Sequence, residues 1–273
     1  MSPGEPQPRI VFPPLPELRS ANVFGCNIRY YDVGLGPVLV LIHGIGGDAD
    51  EWAFCLDGLS SSHRVIALDL LGFGRSDKPF INYCIEGFVE VLERFLQTLG
   101  IERATLVGNS LGGWIAATFG LLFPAAVNKL ILVDAAGLWG DTTEFPVDLR
   151  VSTREHLREV FQQLLYDKTL ATDDLVDLAY RQHLERSDGY TIDSLLRNLQ
   201  ERGERLDEKV ADLKMPVLIV WGEQDAMLPV ETGRRLQRLI PGSRLEVISE
   251  CGHLPALEKP SEFLRCVLEF LRQ

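Results

Sequence analysis

The sequence lacks the residue patterns of several common classes of protein. Its five cysteines are odd in number and widely spaced, and no two of them form a C-x-x-C pair. A disulfide framework or a zinc site is therefore not expected, and we expect reduced thiols in a cytoplasmic protein. The chain also has no N-x-[ST] sequon, no G-K-[ST] phosphate loop and no H-E-x-x-H motif. These absences predict a protein that needs neither a metal ion nor a cofactor.

Positive charge is scarce. Lysine and arginine number 27 against 39 aspartates and glutamates, so the formal net charge is −12. Nucleic acid and anionic membrane surfaces are not expected as partners, because too few basic groups are present to neutralise phosphates. Residues 1–20 are rich in proline and lack the basic start and apolar centre of a signal peptide, so they are predicted to be an extended lead-in.

One long uncharged run could be mistaken for a membrane span. Residues 104–127 contain no charged side chain, and such a length is sufficient to cross a bilayer. The run includes Asn109, Ser110 and several glycines at the place where a strand would turn into a helix. It therefore predicts a buried strand followed by a buried helix, without membrane insertion.

Short apolar strands alternate with helical segments along most of the chain. Strands are predicted at 28–33, 38–42, 64–70, 104–109, 129–135, 216–222 and 244–249, and helices at 84–99, 111–123 and 261–272. The alternation predicts an α/β fold with a mainly parallel sheet between helices, and an antiparallel hairpin at one edge. Residues 138–205 differ, because their amphipathic runs around 154–165, 173–184 and 191–202 predict a helical insertion.

A serine in the pattern G-x-S-x-G follows the strand predicted at 104–109. The pattern runs from Gly108 through Ser110 to Gly112. An apolar strand leads into it and a helix leads out, which is the setting that presents a serine on a tight turn. A side chain at position 108 or 112 would collide with the neighbouring strand and helix. Ser110 is therefore the candidate nucleophile, at a helix N-terminus that favours negative charge.

A serine hydroxyl becomes a good nucleophile when a base takes its proton and a carboxylate orients that base. His253 is the best candidate base, because it follows the last strand in a loop shaped by a glycine and a proline. Asp225 lies just beyond the carboxyl end of the strand at 216–222, the edge where sites form in parallel sheets. Asp134 occupies the same edge and is a rival for the orienting acid, although the pattern favours Asp225.

Several motifs in this order resemble the α/β-hydrolase fold superfamily, in its serine-nucleophile branch. They are HGIGG (43–47), DLLGFGRSD (69–77), GNSLGG (108–113), WGEQD (221–225) and GHLPALEKP (252–260). The resemblance implies a mostly parallel eight-stranded sheet wrapped by helices, with a helical cap inserted after the sixth strand. It divides the chain into a hydrolase core of residues 21–137 and 206–273 and a cap, or lid, of residues 138–205.

The resemblance also implies roles for residues outside the three candidates. The backbone N–H groups of Ile45 and Leu111 would form an oxyanion hole, and His43 would fix the loop that carries Ile45. We expect the substrate pocket to involve Gly44, Asn109, Trp139 and Leu254.

Three functions are compatible with these residues. The leading hypothesis is a serine esterase, a carboxylesterase that cleaves small to medium carboxylic esters through an acyl-enzyme on Ser110. The alternative is a C–C bond hydrolase of meta-cleavage products, which are vinylogous 1,5-diketones. Such enzymes share Gly-Asn-Ser at the turn, but typically have a tryptophan where this chain has Leu254 and an asparagine in the loop after the HG motif.

The second alternative is a receptor-like protein that binds a ligand with little turnover. The sequence leaves open whether the chain forms a homodimer.

Overall fold

The computed structural model describes residues 11–138, 147–202 and 205–273, and its centre is one eight-stranded sheet. The strands are β1 (Arg19–Val23), β2 (Cys26–Val33), β3 (Val38–Ile42), β4 (Arg64–Leu68), β5 (Ala104–Asn109), β6 (Val127–Val133), β7 (Val217–Gly222) and β8 (Arg244–Ile248). They are ordered β1-β2-β4-β3-β5-β6-β7-β8. The pairs β1–β2 and β2–β4 are antiparallel, and all other neighbouring pairs are parallel. The predicted α/β-hydrolase architecture is confirmed.

Helices cover both faces of the sheet. They are α1 (Ala53–Ser60), α2 (Ile85–Thr98), α3 (Leu111–Leu122), α4 (Arg154–Leu164), α5 (Asp173–Arg186), α6 (Gly189–Arg202), α7 (Val230–Leu239), α8 (Pro255–Glu258) and α9 (Pro260–Leu271). Side chains that alternate along a strand enter opposite layers of the core. In β3, for example, Val40 and Ile42 pack towards α2 and α3, whereas Leu39 and Leu41 pack towards α1 and α9. Strands covered on both faces have to be apolar throughout, which is why they were recognisable as uninterrupted apolar runs.

The strand and helix boundaries agree closely with the predicted ones, with two differences. Strand β1 begins at Arg19, inside the predicted lead-in, because Arg19 and Ser20 pair with Tyr30 and Arg29 of β2. Helices α1, α7 and α8 were not predicted. The uncharged run 104–127 forms β5, α3 and the start of β6. None of the described helices is long and apolar enough to cross a bilayer.

Helices α4, α5 and α6 lie between β6 and β7, as predicted for the insertion after the sixth strand. Threonines begin two of them: the Thr153 hydroxyl accepts the N–H of His156, and the Thr172 hydroxyl accepts the N–H of Leu175. These contacts satisfy backbone donors that a helix N-terminus leaves unpaired. The division of the chain at residues 138 and 205 stays a prediction.

Backbone segments pack closely at the turn between β5 and α3. A Cβ atom placed on Gly112 would lie 2.1 Å from the backbone oxygen of Ile42, at the end of β3. Only a residue without a side chain allows α3 to begin so close to the sheet. The close approach fixes where the residue before this helix, Ser110, stands relative to the carboxyl ends of β3, β5 and β6.

Gly112→Ala tests this constraint. We expect the free energy of unfolding to fall by about 3 kcal/mol or more, because the new methyl group overlaps backbone atoms that cannot rotate away. Urea unfolding followed by circular dichroism measures the change. Gly87→Ala in α2 is the matched control, since its Cβ meets only the Cys84 sulfur at 3.5 Å. That substitution is expected to be neutral or to stabilise by about 0.5 kcal/mol. Equal stability of the two variants would contradict the packing constraint.

Candidate active site

Ser110 stands on a strained turn at the edge of the sheet. Its backbone has φ 52° and ψ −114°, a region that costs a non-glycine residue about 1–3 kcal/mol. Three backbone hydrogen bonds hold it there. Its N–H donates to Val133 O, and its carbonyl accepts from the N–H groups of Trp114 and Ala136. The serine predicted as nucleophile is therefore fixed between two strands and the start of α3.

Asp225 and His253, predicted as acid and base, are directly bonded to each other. The His253 ring donates from Nδ1 to Asp225 Oδ2 over 2.7 Å, and both side chains are buried. The other carboxylate oxygen, Oδ1, accepts the backbone N–H groups of Met227 and Leu228 at 2.8 and 2.9 Å. These bonds fix the carboxylate, which in turn fixes the imidazole and leaves Nε2 to receive a proton.

The loop that carries His253 is tied to the turn that carries Ser110. Asn109 Nδ2 donates to the carbonyl oxygen of His253 over 3.1 Å. Within the described part of the chain, no hydrogen bond joins the side chains of Ser110 and His253. Catalytic hydrogen bonds are often long in a structure without substrate, so this geometry is compatible with a serine–histidine pair.

Asp134, the rival acid, lies beside the pair rather than away from it. Its Oδ1 accepts the N–H of Gly222 over 2.9 Å. Burial, and next the charge of Asp225, raise the pKa of Asp134 well above its usual range. Asp134, Asp225 and His253 each place one potential ligand atom within 4.8 Å of the others. This donor set could hold a metal ion, but the Asp225 oxygens and His253 Nδ1 are already committed to hydrogen bonds.

His43 fixes the loop that follows β3. Its Nε2 accepts the N–H of Leu70 at 3.0 Å, and its Nδ1 donates to the carbonyl of Gly44 at 2.6 Å. Complete burial lowers the pKa of His43 to about 4, so the ring is neutral at pH 7. These contacts agree with the structural role implied by the family resemblance.

The loop that His43 fixes carries Ile45, which faces the same cavity as Leu111, the first residue of α3. Leu111 N–H belongs to a helix N-terminus, where backbone donors have no partner within the helix.

The cap contacts the His253 loop through backbone groups. His253 N–H donates to Leu164 O at the end of α4 over 2.7 Å. Glu258 joins the two segments, since its Oε2 accepts the N–H of Tyr166 at 2.7 Å and its Oε1 accepts that of Gly252 at 2.9 Å. A Cβ on Gly252 would lie 2.4 Å from Leu164 O. We call these contacts between residues 164–166, Gly252, His253 and Glu258 the cap clamp.

A pocket opens beside Ser110, and the space inside it, counted together with the open solvent at its mouth, is about 450 Å³. Its lining is apolar apart from the serine and comes from the core and the cap: Ile45, Ser110, Leu111, Trp114, Ala136, Gly137, Leu138, Leu195, Leu196, Leu199 and Leu228. Apolar cavities with a single reactive polar group are typical of small-molecule sites.

A sequence model described as alpha/beta hydrolase fold matches residues 37–260. The chain belongs to this family. A 2-hydroxy-6-oxo-2,4-heptadienoate hydrolase of Pseudomonas putida is 32% identical, over 90% of this chain and 93% of the relative. A solved variant of the meta-cleavage product hydrolase from Pseudomonas fluorescens IP01, complexed with acetates, has a TM-score of 0.86 and 31% identity and covers 93% of this chain and 97% of that chain. A solved bacterial membrane phospholipase A has a TM-score of 0.84 and 27% identity, with 94% and 86% covered.

The cavity of this alpha/beta hydrolase differs from the pocket expected from sequence. Gly44, Asn109 and Leu254 are not among its lining residues, and Trp139 lies outside the described residues. Asn109 instead directs its amide to the His253 loop, and Leu254 precedes the short helix α8. The leucines of α6 at 195, 196 and 199 were missed. Their helical spacing was visible in the amphipathic run around 191–202, but that spacing does not say what the apolar face covers.

Glu258→Gln tests the cap clamp. Glutamine has one oxygen acceptor, so it cannot accept both N–H groups that the carboxylate accepts. We expect faster amide hydrogen exchange in residues 164–166 and a stability loss of about 1–3 kcal/mol, the cost of an unpaired buried donor. Mass spectrometry of exchanged peptides and urea unfolding measure these effects. Glu262→Gln, on an exposed position of α9, is the matched control and should change neither. Unchanged exchange in the Glu258 variant would show that the clamp does not hold the cap.

Proposed function

We propose that this alpha/beta hydrolase cleaves the C–C bond next to a ketone in a 2-hydroxy-6-oxodienoate, a meta-cleavage product. The observation that carries the proposal is the buried Asp225–His253 hydrogen bond, tied through Asn109 to the Ser110 turn beside an apolar cavity. The relatives that share most of the chain's length and about a third of its residues support the choice of bond. The sequence by itself favoured ester cleavage, and the comparisons favour the C–C alternative instead.

In the proposed reaction, Ser110 Oγ attacks the ketone carbon and His253 Nε2 takes the hydroxyl proton. Asp225 holds the imidazole through Nδ1 and stabilises its charged form. The negative charge that develops on the ketone oxygen is bound by the N–H groups of Ile45 and Leu111. One such donor contributes about 3–4 kcal/mol to the transition state.

The C–C bond then breaks, and its electron pair leaves with the dienoate fragment. That fragment can accept the pair once the dienol has tautomerised to its keto form, with the 2-hydroxyl proton transferred to C5. The charge left on C5 then delocalises through the C3=C4 double bond onto the C2 carbonyl oxygen, and the proton held by His253 is returned to the fragment. A water molecule, deprotonated by His253, attacks the acyl group on Ser110 and releases a carboxylic acid. The net reaction adds one water across the broken bond, so no cofactor is required.

The apolar lining of the cavity suits a hydrocarbon substituent on the ketone. Trp114 and the α6 leucines surround the space beside Ser110, and none of the residues that line this cavity is basic. The carboxylate of the substrate would therefore lie outside it. Burying an unpaired carboxylate among leucines would be costly, whereas an alkyl or aryl group gains about 25 cal/mol for each Å² removed from water.

Ester hydrolysis remains a second candidate, because two observations favour it. The cavity offers no cation to a substrate carboxylate, and Leu254 stands where a tryptophan is typical of C–C hydrolases. An uncharged ester with an apolar acyl group would satisfy the same cavity and the same Ser110, His253 and Asp225.

Two substrates distinguish the candidates. We expect the purified chain to remove the visible absorbance of a 2-hydroxy-6-oxodienoate with an alkyl or phenyl group on the ketone faster than it hydrolyses an aryl ester of the same acyl group. Turnover of the ester alone would replace the C–C proposal with the ester candidate. Slow single turnover of either compound, with a large ligand-induced rise in melting temperature, would indicate the receptor-like alternative and overturn both.

Ser110→Ala tests the nucleophile. We expect kcat/KM to fall by at least about 10³-fold, since the acyl-enzyme cannot form. Ser61→Ala, on an exposed position after α1, is the control and should retain full activity. Fluorophosphonate labelling followed by peptide mass spectrometry should place the adduct on Ser110. An adduct on any other residue would reject this assignment.

A further inference from the structure

Two buried carboxyl groups stand side by side at the ends of β6 and β7. Asp134 follows the last residue of β6, and Asp225 follows β7 by three positions. Both are almost fully buried, and an oxygen of each lies within 4.8 Å of an oxygen of the other. The reaction proposed above uses only Asp225, so the presence of Asp134 at this place needs a separate explanation.

The hydrogen bonds of the two carboxyl groups leave one oxygen without a donor. Asp225 Oδ1 accepts from Met227 and Leu228, and Asp225 Oδ2 accepts from His253. Asp134 Oδ1 accepts from Gly222. Asp134 Oδ2, by contrast, is buried without a donor among the described residues. A buried charged oxygen with no donor is strongly unfavourable.

A proton on Asp134 Oδ2 removes this conflict. Two carboxylates at this separation cannot both be ionised in a buried site. Asp225 accepts from three donors, whereas Asp134 accepts from one, so a proton is better placed on Asp134. A protonated Oδ2 becomes a donor, and the neighbouring Asp225 is the acceptor that it can reach. Every polar atom of the pair then has a partner.

We propose that Asp134 is a neutral carboxylic acid that donates a hydrogen bond to Asp225 and thereby positions the Asp225–His253 pair. It is a positioning residue, since it acts on the proposed reaction through Asp225. The backbone of Asp134 supports this role, because its φ of 40° is strained for a side chain other than glycine. The inference rests on the proposed function for its catalytic consequence, but the proton on Asp134 can be measured without turnover.

The groups facing Asp134 determine how it titrates. They are Asp225 and Glu258, whose charges raise its pKa, and His253 and Cys251, which lie in the same buried cluster. In Asp225→Asn the charge of Asp225 is removed, so the pKa of Asp134 falls, while burial still holds it above the ordinary value. Asp134 therefore ionises as the pH rises in that variant, and then supplies a carboxylate within 4.8 Å of the His253 ring.

The first test is spectroscopic and independent of activity. Infrared difference spectra of Asp134→Asn against the unmodified chain at pH 7 should contain the C=O band of one protonated carboxylic acid, lost in the variant. Asp212→Asn, at an exposed position, is the matched control and should show no such band. Absence of the band in the unmodified chain would overturn the proposal, whatever substrate the protein uses.

The second test follows the rate of fluorophosphonate labelling at Ser110 from pH 6 to 9.5. Asp134→Ala should lower the rate by about tenfold, which corresponds to a lost hydrogen bond to a charged group. Asp134→Asn should recover most of that loss, because its amide can donate to Asp225. A role limited to folding would lower the melting temperature without this rescue, and equal labelling rates in the two variants would count against positioning.

The double variant Asp134→Asn/Asp225→Asn completes the design. Removing the carboxylate from a serine–histidine–aspartate site lowers the rate about 10⁴-fold. We expect Asp225→Asn alone to lower the labelling rate of Ser110 by less than this. Its rate relative to the double variant should increase with pH as Asp134 ionises. If the ratio of the two labelling rates stays constant across the pH range, Asp134 does not act as the carboxylate beside His253 when Asp225 is replaced. If Ser110 is not labelled even in the unmodified chain, the proposed function fails, and the infrared band still decides the protonation of Asp134.

Discussion

The site depends on the close packing of backbone at the turn between β5 and α3. The first helical turn lies against the end of β3, and a carbon atom added to Gly112 would reach the Ile42 carbonyl. Because no side chain separates these segments, Ser110, the loop after His43 and the N-terminus of α3 are brought together. The strained φ of Ser110 is a consequence of the same packing, and bonds to Val133, Trp114 and Ala136 hold it in place.

The second half of the site is built by loops that the sheet edge brings together. Asp225 and His253 follow β7 and β8, strands that run parallel and end at the same edge. Residues far apart in the chain therefore meet without a long loop. Their contact with the cap is direct, since the N–H of His253 itself donates to the end of α4. A change in the position of α4 would therefore be transmitted to His253 through a backbone hydrogen bond. A change in the position of α6 would alter the shape of the cavity beside Ser110, because leucines of α6 line it.

Much of this could be predicted from the sequence because the signals are local. The apolar strands, the glycine-rich turn around Ser110 and the order of the serine, the acid and the histidine indicated the fold class, and the family resemblance implied eight strands. The ester hypothesis was less secure. The bond that is cleaved depends on how the site accommodates the leaving group, and the serine turn by itself does not specify that group. The choice between them therefore came from relatives similar over nearly the whole chain.

What the sequence by itself determined is the set of chemical groups and the strand ends that carry them. Asp134 and Asp225 were rivals at that level, with Asp225 favoured, because both follow a parallel strand at the same edge. The tertiary structure decided that Asp225 bonds to His253 and that Asp134 lies against Asp225. It also decided that Leu195, Leu196 and Leu199 line the cavity, whereas Gly44, Asn109 and Leu254 do not. The reason is that hydrophobic periodicity reports which face of a segment is buried, while the partner of that face is fixed only when segments remote in sequence pack together.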